Sequence, residues 1–406
     1  MLMAVGQPHF PLMPPISGVQ LGTSCAGIKQ TLRDDLLIFE ANEGATCAAV
    51  FTQNAFCAAP VIVAKNHLPQ SPRWLLINSG NANAGTGEQG MRDAMQTCQD
   101  LANMTGGNMA QVLPFSTGVI GQALPIDKIT SALPSTLMNL TEDNWQKAAL
   151  AIMTTDTFPK GISKTIDLNG HKITINGISK GAGMIQPNMA TMLGFIATDA
   201  KISHDLLQNC LMDATELSFN RITVDGDTST NDACVILASG ATHAPEILED
   251  TYDYDIFYEA ILEVCQELAE LIIRDGEGAT KLIRIEVSEA ANIQEAVQVA
   301  KTIAHSPLVK TAFFASDPNW GRILAAVGRA GVVNMNLEAI RIYLDDVCIV
   351  REGGRANDYT EEAGQAVMDQ TEIKISVKLG RGSITQTVLT CDFSYDYVKI
   401  NAEYRT

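Results

Sequence analysis

The sequence is short of positive charge and of long apolar runs. Its 406 residues carry 28 Lys and Arg against 46 Asp and Glu, which gives a formal net charge of −18. Because a protein that binds nucleic-acid phosphates needs a basic face, this charge balance argues against a general nucleic-acid partner. No apolar run approaches the roughly 18 residues that a membrane helix needs, so we expect no contact with a membrane.

The sequence also lacks the spacings that mark metal and disulfide sites. Its nine cysteines stand singly, with no C-x-x-C pair, and its six histidines show no H-E-x-x-H pattern. Scattered thiols in odd number indicate a reducing compartment, and the histidines indicate no metal site. No Lys or Arg precedes Lys29, so the basic region of a secretory signal is missing. Together these features predict a cytoplasmic protein without a bound metal.

Helical and strand-like patterns alternate along a chain that is too long for one hydrophobic core. The alternation in both halves predicts an α/β (mixed α+β) fold, with mixed sheets packed against helices in layers. Val61–Ala64 and Tyr397–Tyr404 are rich in β-branched or aromatic residues, which predicts two of the strands. A long amphipathic helix ends at Arg274, and Gly276 is the expected left-handed cap.

Two glycine motifs match known binding or catalytic signatures in form only. Gly85–Gly90 matches the dinucleotide pattern G-x-G-x-x-G, but seven residues separate it from the strand that ends at Ile77. Because the pattern itself is present, a non-catalytic nucleotide-binding protein that uses this loop is the alternative to an enzyme. Gly177–Gly181 matches the nucleophile elbow G-x-S-x-G, yet glycine and proline follow where that motif needs a helix.

A glycine-rich loop ends on Ala190-Thr191 and leads directly into a buried strand. In such a loop the Thr191 hydroxyl can attack the carbonyl of Ala190, shift the acyl group from nitrogen to oxygen, and let water cut the chain. Thr191 then carries a free α-amine with an ordinary pKa of about 8, which can serve as its general base. The plainer alternative is a glycine-rich turn before a core strand.

Lys180 to Phe195 resembles the self-cleavage segment of the ornithine acetyltransferases, which are glutamate N-acetyltransferases of arginine biosynthesis. The resemblance covers nearly the whole chain and rests also on Asn78–Gly85, Thr154–Thr157, Asp275–Lys281, Ser316–Gly321 and Asn401–Thr406. It implies a layered αββα-type sandwich, in which mixed sheets are flanked by helices. This fold is N-terminal-nucleophile-like, of the DmpA/ArgJ-like type. It also implies two fragments: residues 1–190 as an alpha chain with the oxyanion hole, and residues 191–406 as a beta chain that begins with the nucleophile.

The resemblance assigns roles to single residues. It implies Thr191 as the nucleophile and Thr117 with Gly118 as the oxyanion hole. The implied substrate contacts are Thr154, Lys180, Thr191, Glu277, Asn401 and Thr406. Of these, the role of Thr154 is the one most easily assigned to the wrong position, because a second threonine, Thr155, follows it directly. Lys180 suits an α-carboxylate, and Glu277 or the terminal carboxylate suits the ammonium of ornithine; the plainer alternatives are a solvated lysine and a capping carboxylate.

The activity implied is transfer of an acetyl group from N2-acetylornithine to glutamate, by a ping-pong route through an acetyl-threonine. No bound cofactor is implied, and acetyl-coenzyme A is a further candidate donor, which would add an amino-acid N-acetyltransferase activity. The expected assembly is a heterotetramer of two alpha and two beta chains. The alternative enzyme is an N-terminal-nucleophile aminopeptidase or amidohydrolase, which passes the acyl group to water. The acidic loop around Asp225 lacks the spacing of an EF-hand and is expected to be structural.

Overall fold

The computed structural model describes residues 4–29, 33–186 and 192–403, so the predictions for Ala190, Thr191 and Thr406 lie outside the described residues. The strands are β1 Val19–Ser24, β2 Leu36–Ala41, β3 Thr46–Phe51, β4 Trp74–Asn81, β5 Val112–Val119, β6 Lys160–Leu168, β7 His171–Lys180, β8 Leu193–Thr198, β9 Ala233–Ala238, β10 Leu282–Ala290, β11 Arg341–Leu344, β12 Val347–Arg351, β13 Gly354–Arg355, β14 Glu372–Lys378 and β15 Ile384–Cys391. The α-helices are α1 Ala59–His67, α2 Gly87–Thr105, α3 Ile126–Met138, α4 Trp145–Ile152, α5 His204–Glu216, α6 Tyr252–Arg274, α7 Ile293–Ala304, α8 Pro307–Phe314, α9 Trp320–Gly328, α10 Glu361–Met368 and α11 Tyr395–Ala402.

These strands form three mixed sheets. The first has the order β1-β2-β4-β5, the second β3-β9-β8-β7-β6, and the third β13-β12-β11-β14-β10-β15. Each sheet contains one parallel pair among antiparallel neighbours: β4 with β5, β8 with β9, and β10 with β14. The predicted mixed α/β class is therefore confirmed.

The first two sheets pack face to face around a shared apolar core. The ring of Phe195 in the second sheet lies 5.6 Å from Phe39 and 5.3 Å from Phe115, both in the first sheet, measured between ring centroids. Helices α2 and α3 cover the outer face of the first sheet, and α5 and α6 cover that of the second. Both faces of each of these two sheets are therefore buried, which produces the predicted αββα layers.

The third sheet forms a separate apolar core with α7, α8, α9 and α10. Helix α6, which packs against the second sheet, leads through a short loop into strand β10, which lies between β14 and β15 in the third sheet. A bridge between Ile222 and Leu389 also joins the two parts. The loop after α6 is therefore held at both ends, and it carries one of the predicted site residues.

Two segments predicted as strands are helices. Val61–Ala64 lies inside α1, which has Pro60 in its first turn and Lys65 with His67 in its last. Proline at this position is preorganised for a helix start, and basic residues suit the C-terminal end of the helix dipole. These end signals, together with packing of α1 against β5, outweigh the β-branched content of the segment.

Tyr397–Tyr404 was likewise predicted as a strand, and the described part of it lies largely in α11. The hydroxyl of Ser394 accepts a hydrogen bond from the Asp396 N–H and donates one to the Gly278 carbonyl. The cap therefore both starts the helix and ties it to the loop after α6. The aromatic and β-branched residues that suggested a strand are overridden by this cap.

The left-handed glycine after α6 is Gly278, not Gly276. Asp275 closes the helix, and Gly278 has φ +70°. A Cβ atom at Gly278 would lie 2.5 Å from the Tyr397 nitrogen, so the approach of α11 also requires a glycine. The prediction placed the correct residue type two positions too early.

Candidate active site

A cavity of about 280 Å³ lies where the ends of β5 and β7 meet the starts of β8 and β9. The predicted site residues that line it are Thr117, Gly118, Thr154, Lys180, Glu277 and Asn401. Met192 and Leu193, which follow Thr191 in the sequence, line it as well. The fold thus gathers into one cavity every predicted site residue that the structure describes.

The predicted oxyanion residues sit at a close backbone approach between two strand ends. Gly118 has φ +133° and pairs with Gly80, which has φ +106°. A Cβ atom at Gly118 would lie 2.7 Å from the Asn81 nitrogen and would also collide with the Gly80 backbone. Only glycine fits here, so position 118 presents bare backbone beside the cavity.

Lys180 connects this corner to the strand that begins beside the cavity. It is the last residue of β7 and lies opposite Leu193 of the antiparallel strand β8. Its Nζ atom donates a hydrogen bond to Thr117 Oγ1 at 3.2 Å. A cation and a hydroxyl therefore lie next to each other at the edge of the site.

Glu277 supplies a buried carboxylate to the cavity. Only 6% of the residue is exposed, and Asn401 Nδ2 donates to its Oε2 at 2.8 Å. Burial raises the pKa of Glu277, although hydrogen bonds with Thr155 and Asn401 favour its charged form. A Cβ atom at Gly183 would lie 2.6 Å from Glu277 Oε1, so this glycine makes room for the carboxylate.

The two neighbouring threonines after α4 both line the cavity. The Thr154 N–H donates to Asp156 Oδ2 at 2.9 Å, and the Thr155 side chain is the one that hydrogen-bonds Glu277. The role predicted for Thr154 as a substrate contact stays a prediction, with Thr155 equally close to the site.

A fully buried charge network lies behind the cavity, and the sequence analysis did not find it. Lys160 Nζ donates to Asp156 Oδ1 and to Asp275 Oδ2, each at 2.6 Å, and all three side chains are at most 1% exposed. Asp156 Oδ1 also accepts from the Gly181 N–H at 2.7 Å. Asp275 accepts from both the backbone N–H and the hydroxyl of Thr157.

This network joins the segments that carry Thr154, Lys180 and Glu277. Burial alone would raise the pKa of Asp156, but Lys160, Lys180 and the Gly181 N–H hold it well below its usual range. The pKa of Lys160 is raised because its two carboxylate partners outweigh its burial. Burial raises the pKa of Asp275, although its hydrogen bonds with Lys160 and Thr157 oppose that shift. The carboxylates of Asp156 and Asp275 accept hydrogen bonds from backbone N–H groups, so the network orients the backbone of the site.

Two further residues of the cavity wall were not predicted, Asn231 and Asp232. Asn231 Nδ2 donates to the carbonyl oxygens of Ala82 at 2.6 Å and of Ser116 at 3.0 Å. Since Ser116 precedes Thr117, this amide fixes the strand end that bears the predicted oxyanion residues. The signal in the sequence that could have identified these two residues is a polar loop directly before a buried strand.

The loop around Asp225 makes the contacts expected of a structural element. Its carboxylate accepts hydrogen bonds from the N–H groups of Met184 at 2.6 Å and of Ile185 at 2.9 Å. These bonds hold the described part of the segment that leads to position 190. Among the described residues, no group of three or more His, Cys, Asp or Glu side chains is placed to hold a metal ion.

The structure excludes one glycine motif and corrects the reason given against the other. Ser179 lies inside β7, so it occupies no strand-to-helix turn. β4 continues to Asn81, so only residues 82–84, and not the seven residues predicted, separate it from Gly85. Thr86 Oγ1 donates to Asn83 Oδ1 beside the start of α2. No helix in the described ranges is both long enough and apolar enough to span a membrane.

An αββα sandwich with a partly open cavity at its strand ends, walled by both a cation and a carboxylate, is typical of an enzyme that acts on a small charged molecule. Comparison with known proteins is more specific. The model of the ArgJ family matches residues 20–406. The chain belongs to the ArgJ family and is an acyltransferase, as the sequence predicted.

One curated relative and two solved structures are among the proteins to which this chain is similar. The arginine biosynthesis bifunctional protein ArgJ of Methylococcus capsulatus (strain Bath) is 59% identical over 97% of this chain and 96% of its own length. The crystal structure of ArgJ from Bacillus halodurans is 46% identical, covers 51% of this chain and 96% of its own, and superposes with a TM-score of 0.49. The ornithine acetyltransferase of Mycobacterium tuberculosis, solved with ornithine, is 30% identical, covers 43% and 94% of the two chains, and has a TM-score of 0.38.

Proposed function

We propose that this protein transfers the acetyl group of N2-acetylornithine to glutamate and so forms ornithine and N-acetylglutamate. The observation that carries the proposal is the convergence of Thr117, Gly118, Lys180 and Glu277 on one cavity, beside the strand that follows Thr191. Membership of the ArgJ family supports the same reaction. The proposed route is ping-pong, with an acetyl ester on Thr191 as the intermediate.

In the first half-reaction the Thr191 Oγ attacks the acetyl carbonyl of N2-acetylornithine. The α-amine of Thr191 takes the hydroxyl proton, and the Thr117 hydroxyl with the Gly118 N–H stabilises the oxyanion. One such donor is typically worth about 3 kcal/mol of the barrier. The C–N bond then breaks, the departing nitrogen receives the proton, and ornithine leaves the acetyl ester behind.

In the second half-reaction glutamate enters the same cavity. Its α-amine attacks the ester carbonyl, the same donors hold the oxyanion, and the C–O bond to Thr191 breaks. The Thr191 oxygen recovers a proton and N-acetylglutamate departs. No step uses a metal or a bound cofactor, and acetyl-coenzyme A stays a candidate second donor.

The charges of the cavity fit the two substrates. Both have an α-carboxylate, which Lys180 pairs with from its place beside Thr117. Ornithine adds an ammonium, which the Glu277 carboxylate holds while Asn401 fixes one of its oxygens. Thr154 and the terminal Thr406 complete the proposed substrate contacts. Charge-assisted hydrogen bonds of this kind are stronger than neutral ones, so they orient the acetyl group.

The chemistry requires a free amine at Thr191, so the proposal includes self-cleavage between Ala190 and Thr191. The products are fragments 1–190 and 191–406, assembled as a heterotetramer with two copies of each. The same oxyanion donors serve the cut, because it too passes through a tetrahedral oxyanion. The cytoplasmic location expected from the sequence belongs to this proposal.

Denaturing electrophoresis with intact-mass measurement tests the cut directly. We expect fragments 1–190 and 191–406 from the wild type and from Thr191→Ser, which keeps a hydroxyl. Thr191→Ala should remain whole and exchange no acetyl group. An uncut 406-residue chain with full activity would contradict the proposal.

The dependence on glutamate separates transfer from hydrolysis. With N2-acetylornithine alone, the transferase should release at most one equivalent of ornithine per active site, and added glutamate should start turnover. Steady release of acetate without glutamate would favour the hydrolase instead. Replacing N2-acetylornithine by acetyl-coenzyme A in the same assay tests the second donor.

A further inference from the structure

Asp232 occupies the position beside Met192 at the edge of the cavity. Strands β8 and β9 are parallel, with Leu193 opposite Ala233, and the Ala233 N–H donates to the Met192 carbonyl at 3.0 Å. The residues before this pair, Met192 and Asp232, both line the cavity. A carboxyl group is thus built into the wall next to the strand that follows the proposed nucleophile.

The carboxyl group of Asp232 is only half satisfied. The residue is 3% exposed, and the side chain and backbone of Ser229 hydrogen-bond the carboxyl group. Its Oδ2 atom is buried and finds no hydrogen-bond partner in the part of the chain that the structure describes. A buried acceptor without a donor costs roughly 1–3 kcal/mol, so an orphan oxygen at a cavity points to a donor that arrives during function.

The charged and titratable neighbours of Asp232 leave room for one more donor. Lys180 acts on it through its charge, but the Lys180 ammonium donates to Thr117 and makes no hydrogen bond with the Oδ2 atom of Asp232. Cys57 is a further titratable neighbour, and burial raises the pKa of its thiol. Burial also raises the pKa of Asp232 well above its usual range. An arriving cation would favour the carboxylate.

The proposed reaction supplies such donors only as amines: the α-amine of Thr191, the amine of departing ornithine and the amine of incoming glutamate. We propose that the Asp232 carboxyl group is an amine-binding group of this site, which accepts a hydrogen bond from one of these nitrogens. This inference rests on the proposed function and deepens it. The chemistry is the same for the chain's own amine and for a substrate amine, so the experiment must distinguish the two.

The test compares Asp232→Asn with wild type and with Asp199→Asn. Asp199 follows the far end of β8, is half-buried, accepts from the Thr174 N–H, and does not line the cavity. Two quantities are measured on the cut, folded proteins. One is the dissociation constant of ornithine by calorimetry, and the other is the rate at which p-nitrophenyl acetate, a donor without an amine, acetylates Thr191 as pH is varied.

Each source of the amine gives its own result. If Asp232 binds the Thr191 amine, Asp232→Asn should acetylate at least tenfold more slowly. Its pH midpoint should move to lower pH, because the variant no longer favours the protonated amine. If Asp232 binds a substrate amine, acetylation should be unchanged and the ornithine dissociation constant should rise at least tenfold. Asp199→Asn should match wild type in both.

The inference is overturned if Asp232→Asn stays within twofold of Asp199→Asn in both measurements. A folded Asp232→Asn chain that is no longer cut would also count against it, since position 191 has no free amine before the cut. Asp232→Ser is measured in parallel. Because its side chain is smaller, it provides a second test if the Asp232→Asn variant does not fold. Failure of the proposed function looks different, since the wild type itself would then be uncut or inactive.

Discussion

Replacing Lys160 by methionine removes the cation that lies between Asp156 and Asp275. The change keeps a long unbranched side chain and leaves two buried carboxylates, each of which had accepted a hydrogen bond from Lys160 Nζ at 2.6 Å. Breaking a buried ion pair by removing one partner typically costs 3–5 kcal/mol, because a charge stays buried without compensation. We expect Lys160→Met to lower the free energy of unfolding by about that amount.

Lys164 on the same strand provides a matched control. Its Nζ atom lies 2.7 Å from Glu263 Oε2 and 2.7 Å from Glu267 Oε1, so it too has two carboxylate partners. Its side chain is 28% exposed and those of its partners are 55% and 49% exposed. Solvent-exposed pairs are worth about 0–1 kcal/mol, so Lys164→Met should cost less than about 1 kcal/mol. Burial is the main difference between the two sites.

The assay is urea-induced unfolding of both variants and wild type at one protein concentration, because stability of an assembly depends on concentration. The double variant Lys160→Met/Asp275→Asn leaves only one buried carboxylate without a cation. It should therefore recover part of the free energy of unfolding that Lys160→Met loses. Lys160→Met should also raise KM for both substrates, since Asp156 holds the N–H groups of Thr154 and Gly181. The reasoning is refuted if Lys160→Met is no less stable than Lys164→Met.

Three shorter predictions follow from single contacts. Gly118→Ala drives a Cβ atom against the Gly80 backbone. The rate of self-cleavage, followed by gel electrophoresis, and the rate of acetyl transfer should therefore each fall at least tenfold. Glu277→Gln should raise KM for N2-acetylornithine at least tenfold. Because burial raises the pKa of Glu277, wild-type kcat/KM should fall with decreasing pH from above the ordinary carboxyl range, and the variant should lose that limb. Burial lowers the pKa of His305 to about 4, so between pH 6.5 and 4 only the unfolded chain binds this proton, and the folded protein becomes less stable as the pH decreases. When the pH is lowered from 7 to 5, the melting temperature of His305→Gln should therefore drop less than that of the wild type.

The fold was largely predictable because most of its elements depend on local patterns. The hairpin of β6 and β7 turns at Asn169-Gly170, as such a pair between alternating residues predicts. The two segments wrongly predicted as strands lie where an end signal opposes the composition of the segment. Pro60 at the start of α1 and Ser394 before α11 outweigh the β-branched residues that follow them.

The cavity was predictable only in part, and the missing part is long-range. Resemblance to a family selected residues that the fold does bring together, but it gave no reason to select Lys160. In the sequence Lys160 has the appearance of an ordinary surface lysine, and its partner Asp275 lies 115 positions away. Burial of a charge depends on the packing of distant segments, which composition and periodicity do not contain. The unpaired oxygen of Asp232 is of the same kind.

The position of the proposed cut fits the sheet into which the chain folds. The boundary between residues 190 and 191 falls between β7 and β8, yet these strands are neighbours in the second sheet. Strand β9 also pairs with β3, so the order β3-β9-β8-β7-β6 places two strands of the second fragment between strands of the first. A cut there breaks one covalent bond and none of these strand pairings. The two halves would therefore stay joined, and the cavity, which takes Lys180 from one half and Glu277 from the other, would keep its walls.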